Sequence, residues 1–376
     1  MDLALTEHQE LLKSAVHAFM ERECPRDVLL ELDRTETGLS QELWARMAAM
    51  GWLGLLIPHR YGGEGASLMD AAVVYEELGH GPLGGPHFSS SVLGALAVLE
   101  GGTEEQRRDL LPPVARGEVV LALALTEPEY GWGPEAVQLP ARRRDGAYVL
   151  EGTKLFVHDA AAATHLLVVA RTRQEDDPRH GLTTLLVERE RRGVAVRNIP
   201  GFVGPVAEVR LEGVEVPASA VVGEPDAAWT PLQRAILQAL PVLCAYKVGG
   251  CQAVFQMAVA YSNTRVQFGQ AIGRFQRVQD HIIDIVNHLD AARWTTYEAI
   301  WKLETGRPAA ASVHMAKAVA SEGYHRACTS AHEVHGGIGV VREYGLTLHT
   351  RASRSLYHFL GDPTYHKRRL AEALEL

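Results

Sequence analysis

The residues of this 376-residue chain whose types could do chemistry fall in a few clusters. His332-Glu333-Val334-His335 puts two imidazoles beside a carboxylate. A helical zinc pair needs its histidines four apart with the glutamate between them, and these stand three apart, so no metal centre is expected. Gly336-Gly337-Ile338-Gly339 follows at once. Without a preceding strand it is no dinucleotide fingerprint. It reads as a helix C-terminus and a tight turn, whose backbone amides could still receive a phosphate. Arg142–Arg144 and Glu188–Arg192 concentrate charge and read as solvated turns. Asp362 is the carboxylate of a basic, aromatic run from Arg354 to Leu370, and Asp-Pro at 362–363 suits a helix N-cap.

Composition limits the functions these residues can serve. The net charge of −9 argues against nucleic acid, whose binders need a basic face. At 47% hydrophobic residues, the chain can build a sizeable core, enough for two or three folding units of about 100 to 200 residues each. The first twenty residues carry Asp2, Glu7 and Glu10 and lack a basic region followed by an apolar one, so no signal peptide is expected. No apolar run approaches the roughly 18 residues of a membrane span. Cys24, Cys244, Cys251 and Cys328 are scattered without metal-type spacing and suit buried thiols in a reducing compartment, which makes the cytoplasm the expected location.

Three zones must position these groups. Residues 1–118 read as helical. Leu5, Leu11, Leu12, Ala15, Val16 and Phe19 recur at helical spacing around Thr6, a candidate N-cap. Ser40 can cap a second helix that Gly51 stops, and two more are suggested around residues 67–79 and 103–117. Between them, Ile57–Ser67 is a glycine-rich loop. Over 119–225 the period changes to short, β-branched, partly alternating runs divided by turns such as Asp145-Gly146 and Arg192-Gly193. This predicts a small antiparallel β domain, and the lack of intervening helices argues against a doubly wound fold. Residues 226–376 return to long helices at 231–263, 276–304 and 309–333, with shorter ones after Arg342 and Pro363, which predicts an antiparallel four-helix-type bundle. The fold class is α+β.

The stretch Arg265–Gln279, RVQFGQAIGRFQRVQ, resembles the signature of the acyl-CoA dehydrogenase family. ALTEPEYGWG (Ala124–Gly133), EGTKLFVHDA (Glu151–Ala160) and EVHGGIGVVREYGL (Glu333–Leu346) resemble the family's flavin-facing β segment and its glycine turn, in family order. The resemblance implies an FAD flavoprotein oxidoreductase of lipid metabolism that desaturates an acyl-CoA thioester between its α and β carbons. It also implies an electron-transfer flavoprotein as acceptor and a homo- or heterotetramer, because in the family a neighbouring subunit completes the FAD site. The chemistry of hydride acceptance belongs to the flavin, with the protein supplying placement and polarity.

On the resemblance, the β zone offers FAD contacts at Leu125, Thr126, Gly131, Trp132, Phe156, Val157 and His158, with Thr126 matching the hydroxyl at the flavin's pyrimidine edge. The helical zone offers Arg265, Gln267, Phe268, Phe275 and Gln276, with Arg265 suited by its forked donors to a diphosphate across the subunit interface. Glu333, Val334, Gly336 and Gly337 match the turn approaching the adenosine half. Departures from the family pattern accompany these matches. Phe156 replaces a tryptophan and His158 a threonine. Glu333 replaces a glutamine, and an ionised glutamate cannot donate as an amide does. Trp132 replaces a small serine on the substrate side, and Leu240 stands where an arginine is usual.

The family's catalytic glutamate falls on Leu360, and its alternative position falls on Ala239. Neither side chain accepts a proton, and such a base contributes about 10² to 10⁴-fold. Four readings follow. The chain is an FAD-lending partner of a base-carrying paralogue; or Asp362 serves as a displaced base, with Glu77 or Glu127 as remoter choices; or the fold runs flavin monooxygenation, with His158 or His358 serving the oxygen chemistry; or it has a structural role without flavin. No motif specifies the acyl chain, although Gly81–Gly94 could help line its chamber.

Overall fold

The computed structural model describes residues 4–38, 40–201 and 205–376. Helices α1 (Glu7–Glu23), α2 (Arg26–Leu32), α3 (Gln41–Ala49), α4 (Leu68–His80), α5 (Ala95–Gly101) and α6 (Glu104–Ala115) come first. Strands β1 (Leu121–Ala124), β2 (Ala141–Arg144), β3 (Ala147–His158), β4 (His165–Arg171), β5 (Leu182–Glu188), β6 (Val194–Asn198) and β7 (Val206–Pro217) follow. Helix α7 (Trp229–Thr264) leads through a small hairpin, β8 (Val266–Gln267) and β9 (Gln270–Ala271), to α8 (Gln276–Glu304), α9 (Ala310–His335), α10 (Leu346–Tyr357) and α11 (Pro363–Ala373). The order of helices, strands and helices is the expected one.

Local chemistry sets the helix starts. Thr6, Ser67 and Thr103 each close a capping box with the residue three positions on, and Ser40 accepts from Leu43 N at 3.3 Å. The short α2 and α5 and the π-helical turn Ser89–Gly94 lie where periodicity gave no assignment.

Apart from the two-stranded β8-β9 hairpin, the strands form two sheets, β1-β4-β5 and β2-β3-β7-β6. All pair antiparallel except β1 with β4, which run parallel because the chain between them leaves to build β2 and β3 before returning. Asp145 and Gly146, at φ 49° and 81°, make the expected hairpin turn. Arg142–Arg144, expected as a solvated turn, are instead strand β2, paired with Ala147–Val149 and exposed at the sheet edge. A row of cations on an edge strand discourages further pairing, so strong charge here marks an edge rather than a turn.

The chain folds into two compact units. One comprises Met1–Glu31, Ser67–Leu83 and Leu240–Leu376; the other comprises Leu32–Ala66 and Gly84–Ala239. In the first, α8 and α9 pack along their lengths, α10 and α11 lie against α9, and α1 lies on α4. In the second, the sheets form the core and the turn Ser89–Gly94 packs on β1, where Ser90 Oγ accepts from Leu121 N at 3.0 Å. Although no continuous apolar run reaches membrane length, α7 as a whole is long and apolar enough to cross a bilayer by composition; its most apolar stretch is 72% buried within the fold, as a core helix would be.

Candidate active site

In the sheet unit, the segment after β1 is pinned to β3 by a buried ion pair. Lys154 Nζ lies 2.6 Å from Glu127 Oε1 and donates to Leu125 O at 3.0 Å, with Lys154 0% and Glu127 4% exposed. Glu127 also accepts from Gln138 N at 2.9 Å and Leu139 N at 3.0 Å. Burial pushes the Lys154 ammonium down to about 8, against the pull of Glu127. Glu127 is thereby committed to structure. Thr126, next to it, is half-buried and its carbonyl accepts from Leu155 N at 2.8 Å.

Strand β3 carries two irregularities against β7, between Leu150 and Gly152 and between Lys154 and Val157. The second leaves Phe156 at φ 52° with its ring exposed, while Val157 is buried and His158 half-buried. Tyr130, at φ 58°, stacks edge-on with Trp132 at 4.7 Å and with Phe156 at 5.7 Å, beside half-buried Gly131. Two bulky residues in left-handed backbone, joined in one aromatic group, are the kind of strain that collects at ligand sites. Just beyond, Asp159 is buried with Ser89 Oγ–H donating to its carboxylate, and burial raises it to about 7.

In the helical unit, Arg265 follows α7 with its side chain exposed, and among the described residues it makes no side-chain hydrogen bond or ion pair. The β8–β9 hairpin turns at Phe268 and Gly269, φ 52° and 78°; Phe268 is 93% exposed, meets Phe275 edge-on at 6.0 Å, and Gln267 pairs with Gln270. Phe275 and Gln276 open α8. At the end of α9, Val334 is buried and Glu333 exposed, and Gly336 adopts φ 59°, ψ −136°, a conformation essentially restricted to glycine. His332 Nε2 contacts Thr350 Oγ1 at 2.7 Å and His335 Nδ1–H donates to Ala331 O at 2.7 Å. Among the described residues, no three His, Cys, Asp or Glu converge to hold a metal.

The turn after α10 is clamped on every side. Leu360, 7% exposed, sits at φ 59°, followed by Gly361 at φ 113°. A Cβ on Gly361 would lie 2.5 Å from His366 Nε2, so only glycine fits. His366 Nε2–H donates to Leu360 O at 2.9 Å, which makes His366 Nδ1 the acceptor facing His314 Nδ1–H, also at 2.9 Å. Lys317 Nζ reaches Gly361 O at 2.8 Å. Asp362 is the N-cap of α11, accepting from Tyr365 N at 2.7 Å, with Pro363 at the first helical position. Ala239 and Leu240 are fully buried in α7, just before Pro241. Glu77 accepts from His17 Nδ1–H at 2.8 Å and helps line a cavity of about 540 Å³ with Glu76, His80 and Arg293. His358 is exposed, in the same turn as Leu360.

Sequence reasoning did not single out Lys154, Lys317, His314, His366 or Asp159. The one available signal was Lys154 at an inward position of an otherwise apolar strand face.

These features recur in known proteins. Models of the acyl-CoA dehydrogenase N-terminal, middle and C-terminal domains match residues 6–118, 122–214 and 229–375. The chain is 30% identical over 382 aligned residues, covering all of both proteins, to the probable acyl-CoA dehydrogenase YngJ of Bacillus subtilis (strain 168). It superposes on the FAD complex of PigA with TM-score 0.91 at 28% identity, covering all of both chains. Against the ChsE4-ChsE5 complex of Mycobacterium tuberculosis the TM-score is 0.89 at 28% identity, covering all of this chain and 99% of that one. Three domain matches in order, and a relative aligned from end to end, establish that this chain belongs to the acyl-CoA dehydrogenase family.

Proposed function

We propose that this chain is the FAD-contributing, base-less subunit of an acyl-CoA dehydrogenase assembly, acting in α,β-desaturation of an acyl-CoA thioester beside a paralogous chain that brings the carboxylate. The observation that carries this is the turn at Leu360. Its left-handed backbone, Gly361 and the clamps behind it are in place, while Leu360 and Ala239 offer no proton acceptor and Asp362 is spent as a helix cap. A strained turn that keeps its geometry without its carboxylate suits a surface still used to shape a site whose base comes from elsewhere.

The residues fit FAD. Arg265 has free donors for a diphosphate, and at Gly336 and Gly337 an added Cβ would meet nothing within 4 Å, leaving backbone open to a cofactor's approach. Phe268, on a hairpin tip beside that arginine, suits contact with a neighbouring subunit rather than with its own chain. In the sheet unit, Thr126, Phe156 and His158 would face the flavin, whose isoalloxazine supplies hydride acceptance when bound. Trp132, packed on Tyr130, narrows the room for a CoA arm in this chain. An electron-transfer flavoprotein as acceptor, a heterotetramer and a cytoplasmic setting complete the reading.

The test is purification of the chain alone, measurement of FAD per subunit by absorbance, and anaerobic addition of a panel of acyl-CoA thioesters. Little FAD and no bleaching are expected. Stoichiometric FAD that bleaches with a thioester would sink the assignment.

A further inference from the structure

Helix α10 ends at Tyr357, and the chain reaches the N-cap of α11 at Asp362 through a tight turn. Buried carbonyls in such a turn must find donors outside the helix ladder. His358 O accepts from Gly361 N at 3.1 Å, and Gly361 O accepts from Lys317 Nζ at 2.8 Å. Leu360 O has no backbone donor. Among the described residues its one partner is His366 Nε2, at 2.9 Å.

His366 is 1% exposed, and its own backbone N–H donates to Asp362 O at 3.0 Å in the first turn of α11. The ring therefore folds back onto the turn that precedes its helix. A Cβ on Gly361 would stand 2.5 Å from Nε2 and 3.0 Å from Cδ2, so the ring edge lies directly against that backbone. A carbonyl oxygen can only accept, so Nε2 carries a hydrogen whatever the charge of the ring. The other nitrogen, Nδ1, meets His314 Nδ1 at 2.9 Å with one hydrogen between them. His314, near the start of α9, is 7% exposed, and the two rings stand 5.2 Å apart at their centroids. An imidazole tied at both nitrogens can neither slide nor rotate.

The peptide between Leu360 and Gly361 carries the carbonyl that His366 holds. Its orientation is set by ψ of Leu360 and φ of Gly361, so a donor fixed against it fixes both rotations. That is where the turn departs most from ordinary backbone: Leu360 sits at φ 59° and Gly361 at φ 113°. A residue with a side chain keeps such a conformation only where its surroundings over-determine it. The Asp362 cap and the Lys317 bond hold the chain on the far side of this peptide, and His366 holds the peptide itself.

We propose that His366 is the positioning residue that sets the direction of the side chain at position 360, through Nε2–H on Leu360 O, and that His314 holds His366 in place. This rests on the reading of that turn as a surface that shapes the substrate site. A turn specified in this way from α9 and α11 does not depend on which side chain stands at 360, so leucine can occupy the place of a carboxylate without collapsing it.

Hydrogen exchange followed by mass spectrometry on the whole chain at pH 7.5 tests this, with the segment 357–362 read against 318–330 of α9. His366→Gln keeps an N–H near the place of Nε2–H and should leave 357–362 within about threefold of wild type. His366→Leu fills a similar volume without a donor and orphans a buried carbonyl, so exchange of 357–362 should rise at least about tenfold while 318–330 stays within about threefold. His314→Asn keeps a donor near Nδ1 and should stay close to wild type, whereas His314→Leu should speed exchange of 357–362 by about fivefold or more. A folded His366→Leu protein that is protected at 357–362 as well as His366→Gln, or that loosens 318–330 equally, overturns the proposal. Where His366→Leu does not fold, the His314 pair decides, and equal exchange in its two variants overturns the proposal. No flavin, thioester or second chain enters the readout, so its failure is distinguishable from that of the subunit assignment.

Discussion

Replacing Lys154 by methionine should destabilise the sheet unit by an amount the surroundings of Glu127 fix. Removing one partner of a buried ion pair costs about 3–5 kcal/mol, because the other charge is left uncompensated. Glu127 keeps two backbone N–H donors, from Gln138 and Leu139, so the lower end, about 3 kcal/mol, applies. For a cooperative unit of this size each kcal/mol moves the melting temperature by about 2–4 °C, which gives a fall of roughly 6–12 °C. Thermal unfolding followed by near-UV circular dichroism at pH 7.5 reads this. Adding Glu127→Gln removes the orphaned charge while leaving an amide oxygen for one of those donors, so the double variant should recover more than half of the loss. The sign with pH is fixed too. Lys154 titrates near 8 when folded, below its ordinary 10.5, so between those values the unfolded chain binds more protons and wild-type stability rises with pH. Lys154→Met should lack that contribution. A melting temperature within about 2 °C of wild type, or a double variant no better than the single one, would refute the reasoning.

Substitutions at three other positions probe the site. Asp362→Ala should cost about 1 kcal/mol as a lost N-cap, with Asp362→Asn nearly neutral; an Asn variant that melts like wild type yet loses a measurable acyl-CoA-dependent bleaching would instead make Asp362 the base. Leu360→Glu places a carboxylate on a backbone that already holds the turn, and in FAD-loaded protein should raise the rate of flavin reduction by at least about 10²-fold, measured by anaerobic stopped flow; no gain would mean that more than the base is missing. Asp159 titrates near 7 when folded, above its ordinary 3.8, so the folded chain binds more protons between those values and stability is lost as pH rises through 7. Asp159→Asn should therefore melt close to wild type at pH 5 and higher than it at pH 8, and equal shifts at both would rule out buried ionisation as the cause.

What the sequence disclosed was local. Thr6, Ser40, Ser67 and Thr103 announce helix starts because a cap and its amide partner lie three residues apart. The family motifs were equally readable, being short contiguous runs. Arg142–Arg144 misled because a charged edge strand and a charged turn have the same composition. The bulge that turns Phe156 outward depends on pairing with β7, some fifty residues on, and leaves no local mark. Distance in the chain also hid the clamps behind Leu360: Lys317 lies 44 residues from Gly361, and His314 lies 52 from His366. Leu360 was read from its place in the chain as standing where the family resemblance puts a carboxylate, but the left-handed, clamped turn around it left no mark in the sequence.

The composition of the helical unit from three separated stretches has a consequence for biosynthesis. Helices α1 and α4 are made early, yet they belong with residues that begin at Leu240. At about 5–20 residues per second, the stretch from Leu240 to Leu376 takes roughly 7–27 s to emerge. During that interval α4, whose Val73 and Leu78 are buried in the finished fold, lacks α8, which later lies against it, and α1 has α4 to pack on. The sheet unit, complete at Ala239, can fold while it waits, so the nascent chain passes through a half-folded state with two sticky helices in need of a chaperone or of each other.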